Sequence, residues 1–221
     1  MLKTAIIFVG PPGSGKGTQV PILRDEFGFS SFSVGDAFRA EIAKGSPLGK
    51  QVQDFLSRGC LIADDIVLET VKEALASFDS SRVLFDGFPR TIGQVEGMAR
   101  FMPKTQWTVS CIYFSASDEV VSDRIAGRFS CKGCGRGYND KFLRPKIEGV
   151  CDACGGREFD RRADDIKGAV LTRLEKYRTM TEPLLDYYRR EGCLFEVRAE
   201  QEIEQVSRQV RTIVEGLLGK E

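Results

Sequence analysis

The chain has 221 residues, with 32 Lys plus Arg balanced by 32 Asp plus Glu and no histidine. Zero net charge supplies no global field for nucleic acid or an anionic membrane, so any basic site is local. The lack of histidine removes the usual general base and restricts any zinc site to cysteine, with at most an added carboxylate. The length suits one substantial core with insertions, or two small domains. The N-terminus enters a strand within about four residues without a signal-peptide pattern, and no run approaches the ~18 apolar residues of a membrane span. The expectation is a soluble, cytoplasmic-type protein.

The apolar run Ala5-Ile6-Ile7-Phe8-Val9 reads as a buried strand, and it leads into Gly10-Pro11-Pro12-Gly13-Ser14-Gly15-Lys16-Gly17-Thr18 and then a helix. A strand, a glycine-rich turn and a helix start converge several backbone N–H groups at the positive end of a helix dipole, which is a phosphate site. Lys16 adds a point charge for the outer phosphates and Thr18 a hydroxyl toward Mg²⁺, although Gly17 intervenes where the generic pattern has Ser or Thr. A plain strand-to-helix loop is the alternative.

The following helix is expected over residues 15–27 with a kink at Pro21, which removes the bond to the carbonyl of Gly17. Gly28 ends it, a short strand follows, and helices over about 35–43 and 49–58 make residues 33–62 a small helical insertion. Asp64 is expected to cap a helix with Val67, Val71, Leu75 and Phe78 on one face. Val83-Leu84-Phe85-Asp86 reads as a second buried strand ending in a carboxylate suited to hold Mg²⁺, directly or through its water, with a turn cap as the alternative. A helix over 91–102, a strand over 109–114, and a helix capped by Ser117-Asp118-Glu119 and ending near 128 come next. A long helix from 165 interrupted at Pro183, a strand over 194–197 and an amphipathic helix over 203–218 complete a sheet wrapped by helices on both faces.

Between them, Cys131-x2-Cys134 and Cys151-x2-Cys154 have the spacing of two knuckles of a tetrahedral four-cysteine zinc site. Two disulfides are the alternative, disfavoured in a reducing compartment. Residues 127–164, rich in Gly and Cys and without periodicity, read as an insertion stapled by metal rather than by a core of its own. Of the remaining cysteines, Cys111 lies in an apolar run and reads as a small buried hydrophobe, and Cys193 has no assigned role.

Gly10 to Thr18, Ser33-x-Gly35-Asp36 with Arg39, Asp86-Gly87-Phe88-Pro89-Arg90 with Gln94, and Arg162-x-Asp164-Asp165 with Arg173 resemble the successive motifs of the adenylate kinase family. The four-cysteine segment is similar to the family's long zinc-bearing lid. The resemblance implies an α/β fold: a P-loop three-layer α/β/α core with a parallel sheet (residues 1–32, 63–126 and 165–221), an AMP-binding arm (33–62) and a zinc-binding lid (127–164). It implies Mg²⁺-dependent transfer from ATP to AMP giving two ADP, by a monomer with no nucleic-acid or membrane partner.

Carried over residue by residue, the resemblance puts ATP against Gly13, Ser14, Gly15, Lys16, Gly17 and Thr18, with Arg124, Arg128, Gly137, Tyr138 and Gln201. It puts AMP against Val34, Arg39, Cys60, Leu61, Ile62, Gly87, Phe88, Arg90 and Gln94, with Arg162 and Arg173. Lys16, Arg90, Arg124, Arg128, Arg162 and Arg173 are the implied catalytic residues. Cys131, Cys134, Cys151 and Cys154 would bind zinc, and Asp86 would hold Mg²⁺ through water.

An AMP phosphate is already an anionic nucleophile, so this chemistry needs positioning, positive charge and exclusion of water rather than a base. Val34 replaces the family's usual small hydroxyl residue near the acceptor base, Cys60 lies in the loop that wraps that base, and Gly137 replaces a bulkier residue near the ATP adenine. Gln94, whose amide matches the N1 and 6-amino edge of adenine, argues for AMP as acceptor. A UMP/CMP kinase is the nearest alternative. A nucleic-acid-binding ATPase would need a basic stripe with interleaved aromatics, which the cysteine-bearing segment lacks.

Overall fold

A computed structural model describes residues 3–219, without the side chains of Ala163 and Lys167. Met1, Leu2, Lys220 and Glu221, assigned above to the core, lie outside the described residues. Strands β1 (Lys3–Val9), β2 (Ser30–Ser33), β3 (Arg82–Asp86), β4 (Trp107–Ser115) and β8 (Leu194–Arg198) form one parallel sheet in the order β2-β3-β1-β4-β8. The period of two in the central strand explains the layers. Ala5, Ile7 and Val9 point into one buried cluster, while Ile6 and Phe8 point into another on the opposite face. The first cluster is closed by Val67 and Val71 of α4 (Asp64–Ala76), Val95 and Met98 of α5 (Ile92–Phe101), and Leu184 and Tyr188 of α8 (Leu184–Arg190). The second is closed by Ile22 and Leu23 of α1 (Lys16–Phe27) and by Val206, Val210 and Val214 of α9 (Ile203–Leu218). Cys111 is fully buried in the first cluster, as its apolar run predicts.

Two further units project from this sheet. Helices α2 (Val34–Lys44) and α3 (Pro47–Ser57) form a hairpin, with Ser33 and Ser46 as N-caps accepting from the N–H groups of Asp36 and Gly49. They cross where Gly49 has no Cβ, since one there would lie 2.2 Å from the carbonyl oxygen of Glu41. Strands β5 (Arg128–Cys131), β6 (Gly137–Asn139) and β7 (Phe159–Asp160) form a separate antiparallel sheet in the order β6-β5-β7. This segment has more of its own core than its composition suggests: Phe129, Tyr138 and Phe159 pack together with centroids 5.5–5.7 Å apart.

Helix α1 carries Pro21 within its span. Several local expectations change. Asp64 does not cap α4; Ala63 is the N-cap residue, without a side-chain bond, and Asp64 is turned elsewhere. Helix α6 (Asp118–Ala126) ends near Arg128, as expected, and Arg128 begins β5; Ser117, however, makes no side-chain cap bond, and its N–H donates to Glu200. The helix expected from 165 is interrupted at Pro183, as the sequence predicts, and it changes its winding in the turn before that residue. It divides into a 3-10 turn (Ala163–Asp165), α7 (Lys167–Lys176) and a π-helical turn (Tyr177–Thr181), where the N–H of Glu182 reaches back five residues to Tyr177. Pro183 has no N–H and its ring crowds the preceding turn, so the chain widens ahead of it.

Candidate active site

The parallel register gathers three features at one edge of the sheet. Phe8 pairs with Asp86, and Asp86 pairs with Ser33, so the glycine-rich turn, the end of β3 and the start of the α2–α3 hairpin stand side by side. A cleft of about 2120 Å³ opens there, larger than the roughly 300–1,000 Å³ that holds one small ligand. Gly13 and Gly15 have φ of 86° and 93°, values that L side chains resist, and a Cβ on Gly13 would lie 2.7 Å from Ile125. Lys16 Nζ donates to the carbonyls of Gly10 (2.7 Å) and Pro11 (2.9 Å) and to Ser14 Oγ (3.3 Å). Burial lowers its pKa to about 7, opposed by Asp86 and reinforced by Arg90. Burial raises that of Asp86, with Lys16 acting in the opposite direction. Thr18 is exposed at the start of α1 and Gln201 also lines the cleft.

The arginines converge on the same space, each held by a carboxylate or carbonyl. Arg173 forms an ion pair with the Asp164 carboxylate (2.8 Å) and donates to the Asp164 carbonyl (3.2 Å) and to Asp165 Oδ1 (3.0 Å), and Arg128 makes a two-pronged pair with Asp165. Arg162 and Arg39 both reach Asp36, and Arg39 lies 3.9 Å from Asp164. Arg90 Nε donates to the Gly87 carbonyl at 2.8 Å, and Arg124 donates to that of Ala199 at 2.7 Å. Burial, reinforced by neighbouring cations, pulls Arg162 down to about 10; burial does the same to Arg173, opposed by Asp164 and reinforced by Arg128. Such crowding of desolvated cations favours a multiply charged anion.

On the hairpin side of the cleft, Val34, Cys60, Leu61, Ile62, Gly87 and Gln94 line the wall, with Val34 itself 5% exposed. Phe88 does not line it: its ring is fully buried edge-on to Phe85, because the turn that exposes Gly87 drives the next side chain into the core. Gln94 is 2% exposed and already tethered, accepting from the Arg90 N–H (2.7 Å) and donating to Asp64 (2.8 Å). Thr181 donates to the Arg90 carbonyl at 2.9 Å. Neither Asp64 nor Thr181 has a local sequence signal, since each partner lies on a different element.

In the small sheet the Sγ atoms of Cys131, Cys134, Cys151 and Cys154 lie within 4.8 Å of one another, with Cys131–Cys154 and Cys134–Cys151 both at 3.6 Å. A disulfide needs about 2.05 Å, so all four thiols are free. Sulfurs about 2.3 Å from a tetrahedral zinc stand about 3.8 Å apart, so the donor set fits that ion. Tyr138 lines the cleft beside Gly137. Its ring is 2% exposed within the aromatic cluster of the small sheet, and its hydroxyl donates to Cys151 Sγ and accepts from the Asp152 N–H. That bond is the main cause lowering the Cys151 pKa to about 6. Gly137 beside it is exposed and lines the cleft.

A phosphate-binding turn at the central strand of a parallel sheet, facing clustered arginines with no histidine in reach, defines a P-loop phosphoryl-transfer enzyme. Residues 8–193 match the adenylate kinase family. The chain is 40% identical to the adenylate kinase of Allorhizobium ampelinum, over 96% of this chain and 99% of that one. It is 40% identical to that of Paramagnetospirillum magneticum (95% and 98%) and 37% identical to that of Clostridium tetani (95% and 97%). The protein belongs to the adenylate kinase family.

Proposed function

We propose that the protein transfers the terminal phosphoryl group of ATP to AMP, giving two ADP, and so balances the adenine nucleotides. The observation that carries this reading is the single cleft joining the glycine-rich turn to the pocket of Arg39, Arg90 and Gln94, with Lys16, Arg128, Arg162 and Arg173 between them. The backbone of Gly13 to Thr18 would cradle the ATP phosphates, with Lys16 exchanging its carbonyl partners for phosphate oxygens. Arg124, Arg128, Gly137, the main chain at Tyr138 and Gln201 would border the donor. Arg39 and Arg90 would grip the AMP phosphate, while Val34, Cys60, Leu61, Ile62, Gly87 and Gln94 surround its base; Phe88 holds the Gly87 turn from beneath.

Arg128, Arg162 and Arg173 would neutralise charge on the transferring group, and closure of residues 127–164 over the cleft would keep water out. Asp86, through water, and Thr18 would hold Mg²⁺, which would offset the negative charge of the phosphates. Cys131, Cys134, Cys151 and Cys154 would hold a structural zinc, four thiolates leaving no open position for chemistry. Residues 33–62 and 127–164 would thus serve as acceptor arm and lid on a core of residues 1–32, 63–126 and 165–221. No helix among the described residues is long and apolar enough to cross a membrane; we place the enzyme in the cytoplasm as a monomer acting on free nucleotides.

A coupled assay of ADP formation with each of the four nucleoside monophosphates tests the reading. AMP is expected to be clearly preferred. CMP or UMP turned over as well as AMP would transfer the assignment to a pyrimidine nucleotide kinase.

A further inference from the structure

The Gln94 amide is tethered at both its oxygen and its nitrogen. A glutamine amide offers two N–H donors and two carbonyl lone pairs, and rotation by half a turn exchanges the donor and acceptor ends. A flipped amide would present the edge that suits a 6-oxopurine such as hypoxanthine or guanine instead of adenine. The choice between these orientations therefore decides which purine the pocket reads.

Two anchors make that choice here. The Arg90 backbone N–H can only donate, and it meets Gln94 Oε1 at 2.7 Å. A carboxylate accepts, and Asp64 Oδ1 receives Gln94 Nε2 at 2.8 Å. Reversal would set N–H against N–H at one end and carbonyl against carboxylate at the other, inside a site where Gln94 is 2% exposed. One N–H and one lone pair remain for a ligand. The second oxygen of Asp64 is fixed as well, accepting from Thr91 Oγ1 at 2.8 Å, while Thr91 Oγ1 accepts from the N–H of Gln94 and so caps α5. Gly93 leaves room for this arrangement, since a Cβ there would lie 2.6 Å from Asp64 Oδ2.

We propose that Asp64 is a positioning residue for base selection, holding the Gln94 amide in the orientation that accepts adenine and rejects 6-oxopurines. This rests on the reading of Gln94 as the residue that meets the acceptor base. A buried group left mispaired costs enough to make the effect large, on the order of tenfold or more in preference.

The test measures kcat and KM for AMP and for inosine monophosphate, and KM for ATP, in Asp64→Ala, Gln94→Ala and the double variant. Asp65→Ala is the matched control, because it removes a neighbouring acid from the first turn of α4. Gly93→Ala is a second route to the same displacement, with the charge of Asp64 retained. Asp64→Ala and Gly93→Ala are expected to reduce the AMP-to-inosine monophosphate ratio of kcat/KM by about tenfold, mainly through KM for AMP, with KM for ATP steady. Asp65→Ala should leave the ratio unchanged, and Asp64→Ala should add no further loss on top of Gln94→Ala. If Gln94→Ala lowers the ratio while Asp64→Ala and Gly93→Ala do not, the role of Asp64 is overturned and the Gln94 reading survives. If Gln94→Ala itself leaves the ratio intact, both fall.

Discussion

Lys16 shows how one side chain is balanced between the fold and its ligand. Its ammonium is held by two carbonyls of its own loop and sits among the cations Arg90, Arg128 and Arg173, with Asp86 as counter-charge. It makes no contribution to a hydrophobic cluster, so Lys16→Met should retain the thermal transition while lowering phosphoryl transfer by on the order of 10² or more. Near wild-type turnover would remove the glycine-rich turn from the mechanism. The amine has a second consequence. Titrating at about 7, it is mostly neutral at pH 8, and polyphosphate favours its charged form, so binding of preformed Mg–ATP at pH 8 should take up a proton. Calorimetry in buffers of differing ionisation enthalpy should show a positive slope at pH 8 that vanishes at pH 6 and in Lys16→Met. A flat response at pH 8 would mean that the lysine is fully charged before nucleotide arrives.

At the scale of elements, the three-stranded antiparallel sheet is held by two devices. One is the aromatic cluster of Phe129, Tyr138 and Phe159; the other is the four-thiol set beside it, joined to the first by the Tyr138–Cys151 bond. Three rings make a core too small to order some forty residues alone, so metal binding should supply much of this segment's folding energy. Chelation, or Cys151→Ser, is expected to lower the thermal midpoint by several degrees, about what a few kcal/mol does at this size, while leaving the chemical step at low temperature less affected. Metal analysis of the reduced protein that finds no zinc would refute this. The π-helical turn Tyr177–Thr181 joins elements in another way: it carries Thr181 to the carbonyl of Arg90, the residue whose N–H meets Gln94. The break before Pro183 thereby fastens the helix bearing Arg173 to the turn that bears Arg90.

For the whole molecule, the cleft stores many cations, and the carboxylates among them link stability to pH. Burial would raise the pKa of Asp164, but Arg173, Arg39 and Arg162 outweigh it and hold the group below its ordinary 3.8. A carboxyl depressed in the folded state stabilises it above the unfolded value, and that contribution is lost as pH falls through the folded value. The urea midpoint of the wild type should therefore fall below about pH 4 more steeply than that of Asp164→Asn, the two running parallel above pH 5. Parallel curves throughout the acid range would mean that the Arg173–Asp164 pair adds nothing to folding.

What the sequence determined by itself is whatever chemistry lies within a few residues along the chain. The glycine-rich turn following Ala5 to Val9, the two Cys-x2-Cys pairs, the acidic end of β3 and the alternation of strands and helices were all legible, because a turn, a metal knuckle and a strand are each built from consecutive residues. Their assembly was not. Asp64 reads as a helix cap in sequence because an acid beside an apolar-periodic run does so often, and only the packing of α4 on α5 turns it to Gln94, thirty positions away. Tyr138 reads as a cleft residue from its motif position and lines the cleft, while the meeting of β5, β6 and β7 turns its ring inward and puts its hydroxyl on Cys151. Thr181 gains its partner 91 residues back only when a proline widens the helix before it. Hydrogen bonds of this kind depend on which surfaces meet in space, and a linear pattern carries no record of that meeting.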